Sequence, residues 1–423
     1  MAGAGGWFDE ARFGTFIHWG QSSQLGCELS WPMVGGIPAL PQSLHVVPVD
    51  EYHAGGLTFS PKPGAPGRWI ELAAGAGARY AVLTAKHHDG YALWPTQCSD
   101  WSIARSPYGG DIVGEYVEAT RSAGMRVGLY FSLPDWHHPD YPAFTEEDKP
   151  YPTARRSSPE AWARFVEDVL FGQVRELLTG YGTIDLLWFD GGWERRRSEW
   201  RAAELEAMVR ELQPDIVIND RLPGFGDYQT PEQFVPAAAP EGPWETCMTM
   251  NESWGYCPGD SNYKSSTELV HTVCEVAGRG GNLLLNISPD GSGDIPPEQI
   301  DRLQVVGSWL HRHEPAIFGT VPGLEPWQFY GPSTTSSDGG RVFVHLLSQP
   351  YEDAGCVVRG LPIRRVDSVR EVAGGRSLPF TVRCPVLDGM LLADPVGEVR
   401  VQVPSDVVDP VATVLELTIR DAV

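Results

Sequence analysis

The sequence predicts an α/β fold in which a (β/α)₈-like TIM barrel over residues 1–320 is followed by a C-terminal antiparallel β-sandwich over residues 321–423. Two observations predict the barrel. Apolar runs of strand length alternate with helical patterns, and the runs are apolar on both faces, as in a buried parallel sheet. A third observation predicts the sandwich, because short apolar runs separated by Gly, Pro and Asp take over near residue 320.

Barrel strands are expected where apolar runs end in polar residues. The runs assigned to strands are 13–18, 80–84, 126–131, 185–189, 215–219 and 282–287. Helices are expected near 110–123, 159–179, 199–212, 265–277 and 297–312. The intervals between the strands leave room for the crossover helices that parallel pairing requires. In the C-terminal part, the runs 341–347, 355–358 and 398–403 predict a sandwich of roughly 100 residues, a normal domain size.

Composition excludes several classes of protein. The chain has 423 residues and a formal net charge of −23, which disfavours nucleic acid or an anionic membrane surface as a partner. No apolar run approaches the ~20 residues that span a bilayer. The first residues have neither a basic nor an apolar segment, so we expect a cytoplasmic protein or a secreted one trimmed of its leader. Seven cysteines without a CxxC pair indicate neither a disulfide framework nor a zinc knuckle.

Asp190 is the first candidate for catalysis. The almost wholly apolar run 184–189 ends in this carboxylate, and two glycines follow it. In a (β/α)₈ barrel the carboxyl ends of the strands face the active site. The alternative is that Asp190 caps a following helix.

Polar and aromatic residues also follow the other expected strands, so they should meet in one pocket. They include His18, His87, His88, Asp135, Asn219, Arg221 and Asn286. Tryptophans lie in or beside the same loops, at positions 19, 31, 94, 136, 188 and 254. Indole rings stack on the C–H faces of sugars, and imidazole and guanidinium groups bind hydroxyls. The set therefore favours a monosaccharide pocket.

Glycoside hydrolysis needs a second carboxyl group besides Asp190. The residues alone leave this choice open. The candidates are Glu232, Glu245, Glu252 and Asp135.

The order of the motifs resembles that of the glycoside hydrolase family 29 α-L-fucosidases, across roughly residues 7–320. The matching segments are FGTFIHWG (13–20), KHHDGYALWP (86–95), GLYFS (128–132), WFDG (188–191), NDR (219–221), WETCM (244–248), SWGY (253–256) and GNLLLN (281–286). The C-terminal part has no matching motif, and only its pattern of short apolar runs and turns is consistent with the family's β-sandwich.

The resemblance implies a retaining exo-α-L-fucosidase that removes terminal fucose from a glycan, with no cofactor and no metal. Asp190 would be the nucleophile, Glu232 in its Thr-Pro-Glu segment the acid/base, and Glu245 the runner-up for that role. The implied substrate-binding residues are His18, Trp31, His87, His88, Trp94, Tyr130, Arg221 and Trp254. The oligomeric state, the linkage preference and the aglycone stay open.

Two positions depart from the family pattern. Phe131 stands where relatives often have a second tyrosine, and Ser30 stands where many have glutamate. Whether the nearby Glu28 replaces that carboxylate is left open. The long Pro-rich loops 32–49 and 136–159 are expected to shape the leaving-group side.

Two other functions compete with the fucosidase hypothesis. A metal-dependent barrel hydrolase would use His18, His87, His88, Asp89 and Asp190 as ligands, although neither HxH nor HExxH spacing is present. A non-catalytic fucose-binding protein would keep the pocket without its acid.

Overall fold

The computed structural model describes residues 6–151, 156–348 and 355–420. The outer ends of the two predicted domains, residues 1–5 and 421–423, and part of the predicted loop 136–159 lie outside the described residues. The β-strands are β1 (Phe13–Ile17), β2 (Tyr80–Lys86), β3 (Arg126–Ser132), β4 (Leu186–Asp190), β5 (Val217–Ile218), β6 (Glu245–Met248), β7 (Asn282–Ile287), β8 (Thr320–Pro322), β9 (Ser333–Ser336), β10 (Arg341–Leu346), β11 (Cys356–Pro362), β12 (Val366–Glu371), β13 (Phe380–Arg383), β14 (Val396–Val401) and β15 (Thr413–Ile419).

The helices surround the first sheet, except for the last, which lies between β13 and β14 of the C-terminal part. They are α1 (Gly6–Ala11), α2 (Gln21–Leu25), α3 (Val49–Thr58), α4 (Ala65–Gly75), α5 (Ile112–Ser122), α6 (Pro159–Arg164), α7 (Gly172–Gly180), α8 (Ala202–Leu212), α9 (Ser266–Gly278), α10 (Pro297–His313) and α11 (Val386–Leu391). A π-helical segment, Phe165–Phe171, joins α6 to α7. Side-chain caps begin three of them: Asp111 accepts from the Gly114 N–H, Ser158 from the Ala161 N–H, and Ser265 from the Glu268 N–H.

Strands β1 to β7 form one parallel sheet in the order β5-β4-β3-β2-β1-β7-β6. Apart from Arg126 at the start of β3, every residue of these strands is buried, as expected for a parallel sheet with helices around it. The register sets the carboxyl ends of neighbouring strands level, with Ser132 beside Asp190 and Ile17 beside Ile287. The prediction of a parallel sheet is confirmed.

The predicted closure by eight strands is corrected, since the sheet in the described residues has seven regular strands and stays open between β5 and β6. An irregular segment occupies the place of a strand there, and it makes only single bridges, at Asn219↔Tyr228, Gln229↔Trp244 and Glu232↔Cys247. Pro231 within this segment has no N–H to give to a ladder. The segment still matters for function because it carries Glu232.

The C-terminal part forms two antiparallel sheets, β12-β15-β10-β9-β8 and β11-β14-β13, which confirms the predicted antiparallel texture. Apolar side chains from both sheets share a core that includes Val344, Val358, Val399 and Leu415. The five-stranded sheet also contacts the barrel helices: Trp309 of α10 donates its indole N–H to the Ala412 carbonyl at 2.8 Å.

Candidate active site

A cavity of about 560 Å³ opens at the carboxyl end of the parallel sheet. Its floor is closed, since Tyr130 at the floor is 1% exposed. Its mouth is open, since Trp193 at the mouth is 55% exposed. Residues from the ends of several strands line it, so the structure brings together side chains far apart in sequence. They are Phe16, His18, Leu29, Trp31, Ile37, Ala39, Leu40, His87, His88, Tyr130, Tyr151, Trp188, Asp190, Trp193, Arg221, Glu232, Gln233, Cys247 and Trp254.

Asp190 is the last residue of β4, and its carboxylate has a donor on each oxygen. The Tyr130 hydroxyl donates to Oδ2 at 2.8 Å, and Arg221 Nη1 donates to Oδ1 at 3.2 Å. The chain leaves the strand at Gly191, whose φ of 77° favours glycine, and a Cβ there would lie 2.2 Å from Pro134. These contacts hold the Asp190 carboxylate in one orientation at the cavity.

One guanidinium joins Asp190 to Glu232. Besides its bond to Asp190, Arg221 donates through Nη2 to Glu232 Oε2 at 2.6 Å, and it lies 4.6 Å over the ring of Trp188. The Glu232 side chain is 37% exposed, whereas that of Asp190 is 11% exposed. The cavity therefore presents two carboxyl groups in different environments, which is the chemical requirement for cleaving a glycosidic bond.

A chain of hydrogen bonds runs from Asp190 to His88. Tyr130 gives its only proton to Asp190, so its oxygen accepts from Ser132 Oγ at 2.9 Å, and Ser132 accepts from His88 Nδ1 at 2.8 Å. Burial lowers the pKa of His88 to about 4, so the ring is neutral with its hydrogen on Nδ1. The buried Nε2 lies 3.8 Å from Asp190 Oδ2 without a hydrogen-bond partner. It can therefore accept a hydrogen bond from a ligand hydroxyl.

The other two histidines are also held through Nδ1. His18 Nδ1 lies 2.7 Å from Asn286 Oδ1, and His87 Nδ1 lies 2.6 Å from Ser30 Oγ. Burial lowers the pKa of His18 to about 4 and lowers that of His87 well below its usual value. Two more neutral rings thus line the cavity with Nδ1 occupied and Nε2 left for a ligand.

Aromatic rings form the apolar part of the cavity wall. The Trp254 ring lies 5.0 Å from the His18 ring, and the Trp31 ring lies 5.3 Å from the His88 ring. Trp254 is held from behind, because the buried Glu28 carboxylate accepts its backbone N–H at 2.8 Å. Glu28 does not line the cavity, so it does not supply the carboxylate that Ser30 lacks.

Trp94 is not brought into the cavity, which corrects its prediction as a substrate-binding residue. Its indole N–H donates to Glu176 of α7 at 2.9 Å instead. After His88 the chain turns back, and Ala92 bridges to Lys86 of the same strand end. This turn carries Trp94 away from the mouth and against the helix layer.

Glu245, the runner-up for the acid/base, lies beneath the cavity floor and is fully buried. It accepts hydrogen bonds from Trp188 Nε1 at 3.0 Å, from Tyr228 at 3.4 Å and from Tyr80. Burial raises the pKa of Glu245 to about 7. The other two candidate carboxylates also fail to reach the cavity: Asp135 accepts N–H groups of its own loop, and Glu252 bonds to Asn262.

Sequence reasoning did not single out several residues at the site, among them Ser132, Tyr151 and Trp193. Ser132 and Trp193 follow the predicted strand ends closely, so their positions were a usable signal. Tyr151 lies in the loop 136–159, which was expected on the leaving-group side, but no local signal singles out this residue. Its place at the cavity depends on tertiary packing, including its backbone hydrogen bond to Val34 at 2.9 Å.

The metal-hydrolase hypothesis finds no ligand set in the described part of the chain. Within residues 6–151, 156–348 and 355–420, no three His, Cys, Asp or Glu side chains come together in a way that could hold a metal ion. The Nδ1 atoms of His18, His87 and His88 each have a protein partner instead.

The sequence model of the α-L-fucosidase family matches residues 3–315. The chain belongs to that family. The resemblance predicted from the motifs is confirmed, and the protein is a glycoside hydrolase. The human tissue α-L-fucosidase is 32% identical to it over 369 residues, which make up 81% of this chain and 76% of the human protein.

Solved structures of bacterial α-L-fucosidases are similar to this family member over nearly its whole length. Isoenzyme 1 from Paenibacillus thiaminolyticus has a TM-score of 0.84 and 34% identity, and 98% of each chain is covered. A family 29 enzyme from Bacteroides thetaiotaomicron, trapped as a covalent intermediate with 2-fluoro-fucosyl fluoride, has a TM-score of 0.81 and 28% identity, with 98% and 95% covered. Among the described residues, no helix has the length and apolar character needed to cross a membrane.

Proposed function

We propose that the protein is a retaining exo-α-L-fucosidase that hydrolyses terminal α-L-fucose from glycans, with Asp190 as nucleophile and Glu232 as acid/base. The observation that carries the proposal is the shared Arg221 guanidinium, which holds a buried and a half-exposed carboxyl group at one cavity. The relatives named as α-L-fucosidases support fucose as the sugar.

The cavity floor suits one deoxysugar ring. Neutral His18, His87 and His88 offer Nε2 atoms to its hydroxyls, and Arg221 offers N–H donors. Trp31 and Trp254 supply flat apolar faces for the C–H groups of the ring and the methyl group of fucose. Because the floor is closed, the sugar enters as a chain end, which accounts for exo action.

The proposed reaction takes two displacements. In the first, an oxygen of Asp190 attacks the anomeric carbon, the bond to the leaving oxygen breaks, and Glu232 gives that oxygen its proton. In the second, water attacks the same carbon, gives a proton to Glu232, and releases Asp190. Tyr130 and Arg221 fix the nucleophile by donating to both of its oxygens. Two inversions give a product with the configuration of the substrate.

The C-terminal domain is proposed over residues 321–423, and the barrel over 1–320. The change from parallel to antiparallel pairing at β8 supports this division. Contacts of α9 and α10 with the segment before β15 suggest that the sandwich braces the barrel. They include His271 with the Val411 carbonyl at 3.0 Å and Arg312 with Asp409 at 2.8 Å.

Product stereochemistry tests the mechanism. Hydrolysis of an aryl α-L-fucoside, followed by NMR within the first minutes, should give α-L-fucose before mutarotation. Asp190→Gly should lower kcat by roughly 1,000-fold or more, and azide should restore turnover with formation of β-L-fucosyl azide, because azide then attacks directly. Initial β-L-fucose, or full activity of Asp190→Gly, would overturn the proposal. Circular dichroism of the variant separates lost chemistry from lost fold.

A further inference from the structure

Trp193 is an exposed tryptophan at the mouth of the cavity. Its relative exposure is 55%, whereas Trp31, Trp188 and Trp254 of the same cavity are at most 7% exposed. It lies three residues after Asp190, and its ring stands edge-on to that of His88 at 5.9 Å. An exposed apolar ring beside a reaction centre is a feature that a ligand can cover.

The Trp193 indole is held in place. Its N–H donates to the Tyr151 hydroxyl at 2.7 Å. The Tyr151 ring packs at 5.3 Å from Trp31 and at 5.6 Å from Trp136. The two rings of Trp193 and Tyr151 therefore form a fixed wall, and binding against it would cost little side-chain entropy.

Glu194 anchors this wall from behind. Its carboxylate accepts from Trp136 Nε1 at 3.0 Å and also from the Tyr141 hydroxyl. The pKa of Glu194 is raised by burial, and the hydrogen bonds from Tyr141, Trp136 and Tyr151 oppose that rise. One acceptor thus joins Tyr151 of the wall to Trp136 and Tyr141 behind it.

The mouth has further apolar surface. Ile37, Ala39 and Leu40 line it and are partly or fully exposed. Ser43 holds this loop, because its hydroxyl accepts from the Ile37 N–H at 2.9 Å and lies 2.6 Å from the Leu40 carbonyl, to which it donates. The loop belongs to the segment 32–49 that the sequence predicts on the leaving-group side.

We infer that Trp193, backed by Tyr151, forms a leaving-group subsite that binds an aglycone with a flat apolar face. This inference rests on the proposed fucosidase function. The fucose fills the closed floor, so its anomeric substituent is the part that leaves through the mouth, past Glu232 and Trp193. An aryl group and the C–H face of a pyranose share this chemistry, and both can stack on an indole ring.

The experiment compares leaving groups of different size on one enzyme. Wild type and Trp193→Ala are assayed with α-L-fucosyl fluoride, p-nitrophenyl α-L-fucoside and a fucosyl disaccharide. Fluoride has no ring to stack, so the ratio of kcat/KM for a ring-bearing substrate to that for the fluoride should fall about tenfold in Trp193→Ala. Trp193→Phe should restore most of the ratio. A fall confined to the aryl substrate or to the sugar substrate names the aglycone class.

Trp327, which is 61% exposed, offers a matched control because Trp327→Ala removes a similarly exposed indole away from the cavity. Its ratio should equal that of wild type. An unchanged ratio in Trp193→Ala would overturn the subsite. An equal fall of kcat/KM with all three substrates is one way in which the ratio stays unchanged. Failure of wild type to hydrolyse even the fluoride would instead overturn the proposed function on which the subsite rests.

Discussion

Trp188 donates its indole hydrogen to Oε1 of Glu245 at 3.0 Å, and this bond connects the cavity floor to a carboxyl group buried behind it. Above the floor, the Trp188 ring stacks on Tyr130 at 5.5 Å and lies under the Arg221 guanidinium at 4.6 Å. Tyr130 and Arg221 are the two donors to Asp190. We therefore expect Glu245 to act on the proposed nucleophile through Trp188, as a positioning residue.

Glu245→Gln should lower both stability and activity without abolishing either. The amide keeps the volume but has one acceptor oxygen for three donors, so at least one buried donor loses its partner. We expect the free energy of unfolding to fall by about 1–3 kcal/mol and kcat/KM to fall by about tenfold. Urea unfolding and aryl fucoside kinetics measure these effects. Acceleration of Glu245→Ala by azide would contradict this role and would make Glu245 the acid/base.

Glu232→Ala should show the signature of a missing acid/base. With a good leaving group the fucosyl-enzyme still forms, and its hydrolysis becomes slow because no base activates water. Azide needs no base, so it should raise the rate and give α-L-fucosyl azide, the configuration opposite to the azide product of Asp190→Gly. NMR of the product reads this configuration.

Glu252→Ala is the matched control for Glu232→Ala. Glu252 was a candidate for the same role, and the structure places its side chain in an exposed position, in contact with Asn262. Its removal should leave kcat near that of wild type with and without azide. If Glu252→Ala alone responded to azide, the acid/base role would move from Glu232 to Glu252.

Much of the site could be predicted because parallel strands bring their carboxyl ends to one edge. Asp190 and Tyr130 lie on or beside predicted strand ends, and both line the cavity. The positions of the Glu245 and Trp94 side chains were harder to predict, because sequence position does not say whether a side chain points into the barrel, into the cavity mouth or against a helix. In both cases a hydrogen-bond partner distant in sequence decides the direction.

Strand β6 shows a second limit of predicting the fold from the sequence. Glu245–Met248 begins with a glutamate and a threonine, so the apolar pattern that predicts a buried strand is missing there. The strand is buried nonetheless, because Tyr80, Trp188 and Tyr228 satisfy the glutamate. The open edge between β5 and β6 could not be predicted either, because a segment that makes only single bridges has no periodic apolar pattern in its sequence.

Ser132→Ala should weaken substrate binding by freeing His88. Ser132 accepts from His88 Nδ1 and donates to Tyr130, so its loss removes the group that fixes the His88 tautomer. We expect kcat/KM for an aryl fucoside to fall by about tenfold, with Ser132→Thr retaining more activity than Ser132→Ala. The free energy of unfolding should also fall, by about 1–3 kcal/mol, because the buried His88 Nδ1–H loses its acceptor, and urea unfolding measures this. Equal kinetics of wild type and Ser132→Ala would show that the hydrogen-bond chain does not matter.

His345 of β10 should make folding stability depend on pH. It is fully buried in the C-terminal part, and burial lowers its pKa to about 3. In the unfolded chain the ring protonates below its ordinary pKa near 6.5, while the folded protein keeps it neutral down to the lower value. The unfolded state therefore binds one more proton in this window. The stability that His345 contributes is complete above pH 6.5 and is lost as the pH falls toward 3.

Other groups overlap this window, so a single substitution is needed to isolate His345. His18 and His88 act in the same direction, whereas Glu28 and Glu245, whose pKa values burial raises to about 7, gain stability from protonation as the pH falls from 7. His345→Gln cannot take up the proton in either state. Its free energy of unfolding, measured in urea, should therefore gain about 1 kcal/mol relative to wild type between pH 6 and pH 5. Parallel pH profiles of the two proteins would show that the folded state protonates His345 as readily as the unfolded chain does.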